Sequence, residues 1–268
     1  MDEGYKTLGF KHFRGVLPVD EISRFADLAY RLITPYRGEI LRQDGKPDFN
    51  EFFPSTTLLK NSVSNGHVRL PADLKPVHDT LRALITSAPI YESLRQLDDE
   101  EHYTIHQTLI FISSQATQPH LDSWSMDTVP HGFAHTLWIP LEDMDYLAGV
   151  PGVIPWPVGK LLTEAELGLA TADFSFRARH DRHYEALTKK LLAEGAEMYT
   201  SFMRRGDFLA WASTTPHFSF PSNPFPRRRL SLQILIRPTR YEWGTFVDQP
   251  GPPEPAERMS DRFDFIVR

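Results

Sequence analysis

The sequence predicts a mainly β domain, a sandwich or barrel, with helices flanking it. Three observations carry that reading. Proline makes up 22 of 268 residues, well above the usual ~5%, and helix bundles tolerate little proline because it removes a helix hydrogen bond. Apolar stripes of helical period come first in the chain and short runs of β-branched and aromatic residues come later, separated by one charged, helix-like insertion. That order fits helices packed against a sheet better than it fits alternating βαβ units. With 41% hydrophobic and 24% charged residues the chain has material for a sizeable core, and all-β units of about 200–250 residues fold as one. A single domain over 1–268 is expected, with N-terminal helices over about 18–97, a β core over about 103–240 and a C-terminal tail.

Taken in order, Pro18-Val19-Asp20 followed by Ile22, Phe25, Leu28, Ala29 and Leu32 has helical spacing, with Asp20 as N-cap. A second stripe, Leu74, Val77, Leu81, Leu84 and Ile85, follows Pro71, and Pro89 to Leu97 adds a third short helix. Between them Arg37 to Gly66 reads as irregular. The core strands are Tyr103–Ser113, His135–Leu141, Asp207–Ala212 and Leu230–Arg237, each rich in β-branched and aromatic residues. Thr163 to Gly195 reads as a helical insertion in two pieces, with Tyr184, Leu187, Leu191 and Leu192 on one face, and Gln249 to Pro255 as a surface tail.

Composition narrows the chemistry. Cysteine is absent, which removes disulfides, thiolate metal sites and thiol nucleophiles and leaves His, Asp and Glu as metal ligands. The net charge of -6 provides no basic field for a nucleic acid or an anionic membrane, so a small-molecule partner is expected. No leader pattern opens the chain and no apolar run approaches the roughly eighteen residues of a membrane span; a cytoplasmic location is expected. Nothing in the sequence specifies an oligomeric state.

The first strand runs into Gln118-Pro119-His120-Leu121-Asp122, where extended backbone aims residues i and i+2 to one side. A second strand, opened by Gly206-Asp207, leads to His217, 95 residues beyond Asp122. Two imidazoles and one carboxylate in this pattern match the facial triad of non-heme Fe(II) oxygenases, which leaves coordination positions open. His-x-Asp alone occurs by chance in a chain with 11 His and 35 acidic residues; the stretch after His217 adds weight. There Ser219, Asn223 and Arg227-Arg228-Arg229 precede Leu230-Ser231 in an apolar strand. An Arg entering an interior strand is costly unless it pairs with an anion, and a planar guanidinium grips a carboxylate with two hydrogen bonds.

In this order and spacing the residues resemble the phytanoyl-CoA dioxygenase family of Fe(II)- and 2-oxoglutarate-dependent oxygenases. The matching features are Ile105–Ile112, His120 and Asp122, the Trp138 strand ending in Glu142-Asp143, Gly206-Asp207, His217 with Ser219 and Asn223, and the Arg run. The resemblance implies a double-stranded β-helix, the jelly-roll or cupin-like fold. It also implies His120, Asp122 and His217 as ligands of Fe(II), with an Arg of the 227–229 run as anchor for the cosubstrate 2-oxoglutarate and O2 as oxidant. Arg229 is favoured, because Arg229 and Ser231 share one strand face; Arg228, on the opposite face, is the alternative. Trp138 resembles a residue flanking the cosubstrate, and packing in the core is the other reading. Gln107 resembles a polar residue placed near iron or cosubstrate. His106, pointing the other way, reads as structural. His135 reads as a further cavity candidate, His131 has no helix to align it with His135, and His180 and His183 read as a solvated helix face. The stretch Val150 to Trp156 departs from the family pattern, and with it the substrate is left open. Arg37–Gly66 and Pro151–Gly195 are the expected lids. The function implied is hydroxylation of an aliphatic C–H of a small metabolite or natural-product intermediate, with release of succinate and CO2. A non-catalytic jelly-roll that binds a ligand and keeps a metal site is the alternative.

Overall fold

The computed structural model describes residues 1–64, 70–113, 116–169, 176–244 and 255–266. A short helix, α1 (Glu3–Leu8), opens the chain with the Tyr5 N–H donating to the Asp2 carboxylate, and strand β1 (Phe10–Phe13) follows. Neither is long enough to announce itself by periodicity. Helix α2 (Val19–Ile33) buries Ile22, Phe25, Ala26, Ala29 and Ile33, largely the stripe read from sequence. Its start differs from expectation. Pro18 is the N-cap with no side-chain hydrogen bond, and Asp20 sits in the first turn, where its charge complements the positive end of the helix dipole. The segment expected to be irregular carries three two-residue strands, β2 (Ile40–Leu41), β3 (Pro47–Asp48) and β4 (Val63–Ser64). Helices α3 (Lys75–Ile85) and α4 (Ala88–Asp98) then form where the second and third stripes place them.

The rest of the chain is β5 (Tyr103–Ser113), β6 (Thr117–His120), β7 (Asp127–Val129), β8 (His135–Pro140), β9 (Pro151–Val153), α5 (Phe176–Ala193), β10 (Phe208–Ala212), β11 (His217–Ser219), β12 (Arg228–Pro238), β13 (Glu242–Gly244), β14 (Ala256–Arg258) and β15 (Phe263–Ile266). The large sheet has the order β1-β10-β8-β12-β5-β15-β14, with β4 also on β5; a second sheet has the order β6-β11-β9. The helices cover one face of the large sheet, with Phe25, Leu81, Leu94, Ile110, Ile234 and Ala210 in one apolar core. Its other face carries Trp138, Leu209 and Trp211, which pack with Val150 and Val153 on the side of the small sheet. Alternation along the strands thus separates a core layer from a cavity layer.

Two further expectations are corrected. The chain beyond residue 240 does not end as a tail: β14 and β15 extend the large sheet, β15 running parallel to β5, and Phe263 is buried against Tyr91 and Tyr103. A four-residue strand is too short to show alternation in sequence. Gln249 to Glu254 lie outside the described residues. Of the two helical pieces expected in Thr163–Gly195, the second is α5; in the first, 164–168 is a turn. The Glu166 carboxylate folds back to accept from the Thr163 N–H and hydroxyl, and Gly168 ends the turn at φ 68°.

Candidate metal centre and cavity

β6 ends on His120, and the chain turns at once into a single 3₁₀ turn, Asp122–Trp124. Asp122 therefore reaches the side of His120 through a turn and not along an extended strand. His217 opens β11 and is paired antiparallel with His120 across the small sheet, which places the two imidazole centroids 4.2 Å apart. One ligand atom from each of His120, Asp122 and His217 lies within 4.8 Å of the others; the Asp122 Oδ1 to His217 Nε2 distance is 3.5 Å.

The surroundings set each donor's state. His120 Nδ1–H donates to the Gln118 carbonyl at 2.8 Å and His217 Nδ1–H to the Thr215 carbonyl at 3.0 Å. A carbonyl only accepts, so both rings carry a proton on Nδ1 and turn Nε2 to the shared centre, the arrangement that orients metal-binding imidazoles. Burial, with His217 beside it, pushes the His120 imidazole down to about 4, leaving it neutral at pH 7. Asp122, 8% exposed, accepts at Oδ2 from the Thr136 hydroxyl at 2.6 Å and the Trp211 indole N–H at 3.1 Å. Oδ1 is the oxygen left facing His217. Two imidazole nitrogens and one carboxylate oxygen, each side chain fixed by an outer partner, fit a divalent ion with open positions.

The three groups line one cavity of about 270 Å³ together with Arg229, Gln107 and Trp138. Arg229 is 2% exposed. Its Nη1 donates to the Gly149 carbonyl, while its Nε and the buried Ser231 hydroxyl have no hydrogen-bond partner among the described residues. Burial pushes the guanidinium down to about 10. A buried cation beside a buried unpaired hydroxyl is the donor set of a carboxylate seat, and among the described lining residues Asp122 is the one carboxylate. The residues present thus fit both an Fe(II) ion and a dicarboxylate cosubstrate.

The phytanoyl-CoA dioxygenase family model matches residues 5–229. The chain belongs to that family. It is an enzyme of the Fe(II)- and 2-oxoglutarate-dependent oxygenase type, with iron and 2-oxoglutarate as its cofactors, and the jelly-roll expected from sequence is its fold. No curated protein matches the chain in sequence. Among solved structures it is similar to the carbocyclase SnoK of nogalamycin biosynthesis at 15% identity, covering 99% of this chain and 94% of that one with a TM-score of 0.63. It is likewise similar to the epimerase SnoN, in complex with Fe3+, alpha ketoglutarate and nogalamycin RO, at 17% identity, 97% and 95% coverage and a TM-score of 0.59. EctD from S. alaskensis, with 2-oxoglutarate and 5-hydroxyectoine, matches at 16% identity over 93% of this chain and 79% of that one, TM-score 0.59.

Within this family fold the remaining sequence candidates separate cleanly. Gln107 faces the cavity, its Nε2 donating to the Ser64 hydroxyl at 3.3 Å and the Gln43 carbonyl at 3.4 Å. His106 points away and stacks on Trp243, as expected for a structural residue. Trp138 packs in the apolar layer, lines the cavity and has its ring 5.8 Å from the Arg229 guanidinium. Arg228 faces outward, its Nε donating to Glu142 at 3.1 Å. His135 is not a cavity residue. It lies on the opposite face, where Tyr5 donates to Nδ1 at 2.8 Å and Nε2–H donates to Asp98 at 2.6 Å; the parity of β8 that sends Trp138 to the cavity sends His135 the other way. His131 pairs with Asp127 in a loop.

The helix α5 overturns the reading of His180 and His183 as a solvated face. His183 is 1% exposed against Trp124, and His180 and Tyr184 line the cavity. Tyr184, Leu187 and Leu191 do share the buried side, whereas Leu192, one residue on, is 77% exposed. Both segments read as lids border the cavity, through Gln43 and through Pro151, His180 and Tyr184. Gln233, Met126 and Phe218 are lining residues that no motif announced; strand alternation from Arg229 places Gln233 on the cavity face.

Proposed function

We propose that this enzyme hydroxylates an aliphatic C–H of a small metabolite or natural-product intermediate, releasing succinate and CO2. His120, Asp122 and His217 hold Fe(II), and Arg229 with Ser231 takes the far carboxylate of 2-oxoglutarate. The observation that carries this reading is the buried Arg229 guanidinium in the cavity that also holds the three-ligand cluster, its Nε without a partner among the described residues, with the equally unpartnered Ser231 hydroxyl two residues along the same strand. A divalent ion, one carboxylate, one guanidinium and a dianionic cosubstrate sum to zero charge, so the filled site avoids the cost of a buried net charge.

Iron and 2-oxoglutarate supply the oxidising power, drawn from O2. The chain's own residues orient and enclose. The carbonyls of Gln118 and Thr215 fix the two rings, Thr136 and Trp211 aim Asp122, and the Trp138 ring with Phe111 shields the Arg229 guanidinium from water. Gln107 and Gln233 from the large sheet and His180 and Tyr184 from α5 also line the cavity and offer a substrate hydrogen-bonding contacts. Asp122 occupies the carboxylate position that a halide would need, so oxygen insertion is the reaction expected even in excess chloride.

The test is succinate release from the Fe(II)-loaded enzyme across amino acids, small acids, sugars and natural-product intermediates, followed by product mass under labelled dioxygen. A gain of one labelled oxygen supports hydroxylation. Loss of two hydrogens, an unchanged mass or a chlorinated product replaces it with desaturation, epimerisation or halogenation.

A further inference from the structure

The segment that carries two of the three metal-facing groups has a second set of side chains turned away from them. His120 and Asp122 face the shared centre, whereas Leu121 and Trp124 are buried in an apolar cluster with Ile154, Trp156 and, from α5, Leu187 and Leu191. The same helix reaches the metal-facing side. The Tyr184 ring centroid lies 5.3 Å from that of His120, and His183 lies 4.6 Å from Trp124. A carboxylate from the preceding turn pins the helix: Arg179 Nε donates to Glu164 Oε1 at 2.7 Å, and His183 Nε2 lies 3.3 Å from the same oxygen. α5 therefore grips the His120–Trp124 segment on both of its sides.

We propose that Tyr184 and Trp124 are positioning residues for His120 and Asp122, so that metal binding and the docking of α5 form one coupled equilibrium. The helix holds the ligand segment in place, and the metal in turn holds the helix. The inference rests on the metal reading above. By linkage, whatever loosens α5 lowers metal affinity, and metal protects α5 from opening by the same factor. Because α5 supplies His180 and Tyr184 to the cavity wall, the substrate side of the site is completed when metal is bound. In the metal-free chain this wall is the element that opens by local unfolding.

The test uses the full chain with Mn(II) alone as probe. Hydrogen–deuterium exchange follows the α5 amides with and without saturating Mn(II), and Mn(II) affinity and its EPR spectrum are recorded for the parent, Tyr184→Phe, Tyr184→Ala and Trp124→Phe. The expected results are slower α5 exchange with Mn(II), by about tenfold, and binding about 10- to 100-fold weaker in Tyr184→Ala, the range seen when groups orienting ligands are lost. Tyr184→Phe and Trp124→Phe, which keep a ring, retain most of the affinity. A merely structural role for Tyr184 would lower thermal stability without moving the affinity or the spectrum. Glu164→Gln, outside the cavity, serves as a second variant if Tyr184→Ala does not fold, with an expected loss of several-fold in affinity. Mn(II) that binds the parent and leaves α5 exchange unchanged overturns the coupling and leaves the metal centre standing. So does parent-like affinity in Tyr184→Ala or, where that variant does not fold, in Glu164→Gln. A parent chain that binds no Mn(II) overturns the metal reading itself.

Discussion

Replacing Arg229 with Met tests the carboxylate seat most directly. The guanidinium is 2% exposed and its Nε has no partner among the described residues. Burial alone pushes it down to about 10, so the charged form is held at a cost until an anion arrives. Losing one partner of a buried charge-assisted pair costs about 3–5 kcal/mol. At ~1.4 kcal/mol per tenfold, Arg229→Met is expected to weaken 2-oxoglutarate binding by about a hundred- to several thousand-fold. Met fills much of the same volume without the charge, so the ligand-free variant is expected to melt no lower than the parent. The assay is calorimetric titration of 2-oxoglutarate into the Mn(II)-loaded protein, with thermal unfolding beside it. At a hundred times its dissociation constant, 2-oxoglutarate adds about 2.7 kcal/mol to the parent's stability; at that concentration it adds at most about 0.4 kcal/mol to the variant. Arg228→Ala is the control. Its side chain is 50% exposed, paired with Glu142 and lying 4.8 Å over Tyr30, a surface arrangement of about 0–1 kcal/mol. Cosubstrate binding in this variant is expected within about twofold of the parent. If Arg229→Met binds 2-oxoglutarate like the parent while Arg228→Ala carries the loss, the inward face of β12 has been misassigned and the argument fails.

Further outcomes follow from the same geometry. His120→Ala and His217→Ala each remove one of three ligands and are expected to abolish stoichiometric Fe(II) binding, measured by metal analysis of anaerobically purified protein; parent-like iron content in both would refute the site. Trp211→Phe leaves Asp122 Oδ2 with Thr136 alone, and a loss of about tenfold in Mn(II) affinity is expected without a change of fold. Asp98→Ala leaves His135 in a fully buried position without its acceptor. It should cost about 3–5 kcal/mol in denaturant unfolding while metal affinity stays within about twofold. Finally, burial is the first cause holding His12, His120, His180 and His183 below the ordinary imidazole value. The unfolded chain therefore takes up protons first as pH falls below about 6.5, and the metal-free protein loses stability from there down to about 4, where His120 itself titrates. His131, raised by Asp127, acts in the opposite sense: its contribution is full below about 6.5 and is lost as pH rises through its folded value. With four groups against one, a melting temperature that rises between pH 7 and pH 5 would refute the assignment.

Much of the site was legible in the linear chain because it rests on spacing set by covalent geometry. Alternation along β12 separates Arg229 from Arg228, alternation along β5 separates Gln107 from His106, and a single residue joins His120 to Asp122 whatever lies around them. The 3.6-residue stripe likewise marks α2, α3 and α4. Other features depend on partners distant in sequence. That His217 stands opposite His120 comes from strand pairing across 97 residues, and that Thr136 and Trp211 aim Asp122 comes from β8 and β10 lying side by side. α5 shows the limit most plainly. Its arginines, lysines and histidines read as a solvated face, yet His183 is buried against Trp124 and His180 and Tyr184 line the cavity. Polarity along a chain reports the average cost of leaving water. Whether a particular imidazole or hydroxyl meets that cost depends on the groups that arrive beside it, and those are set by packing and not by its neighbours in sequence.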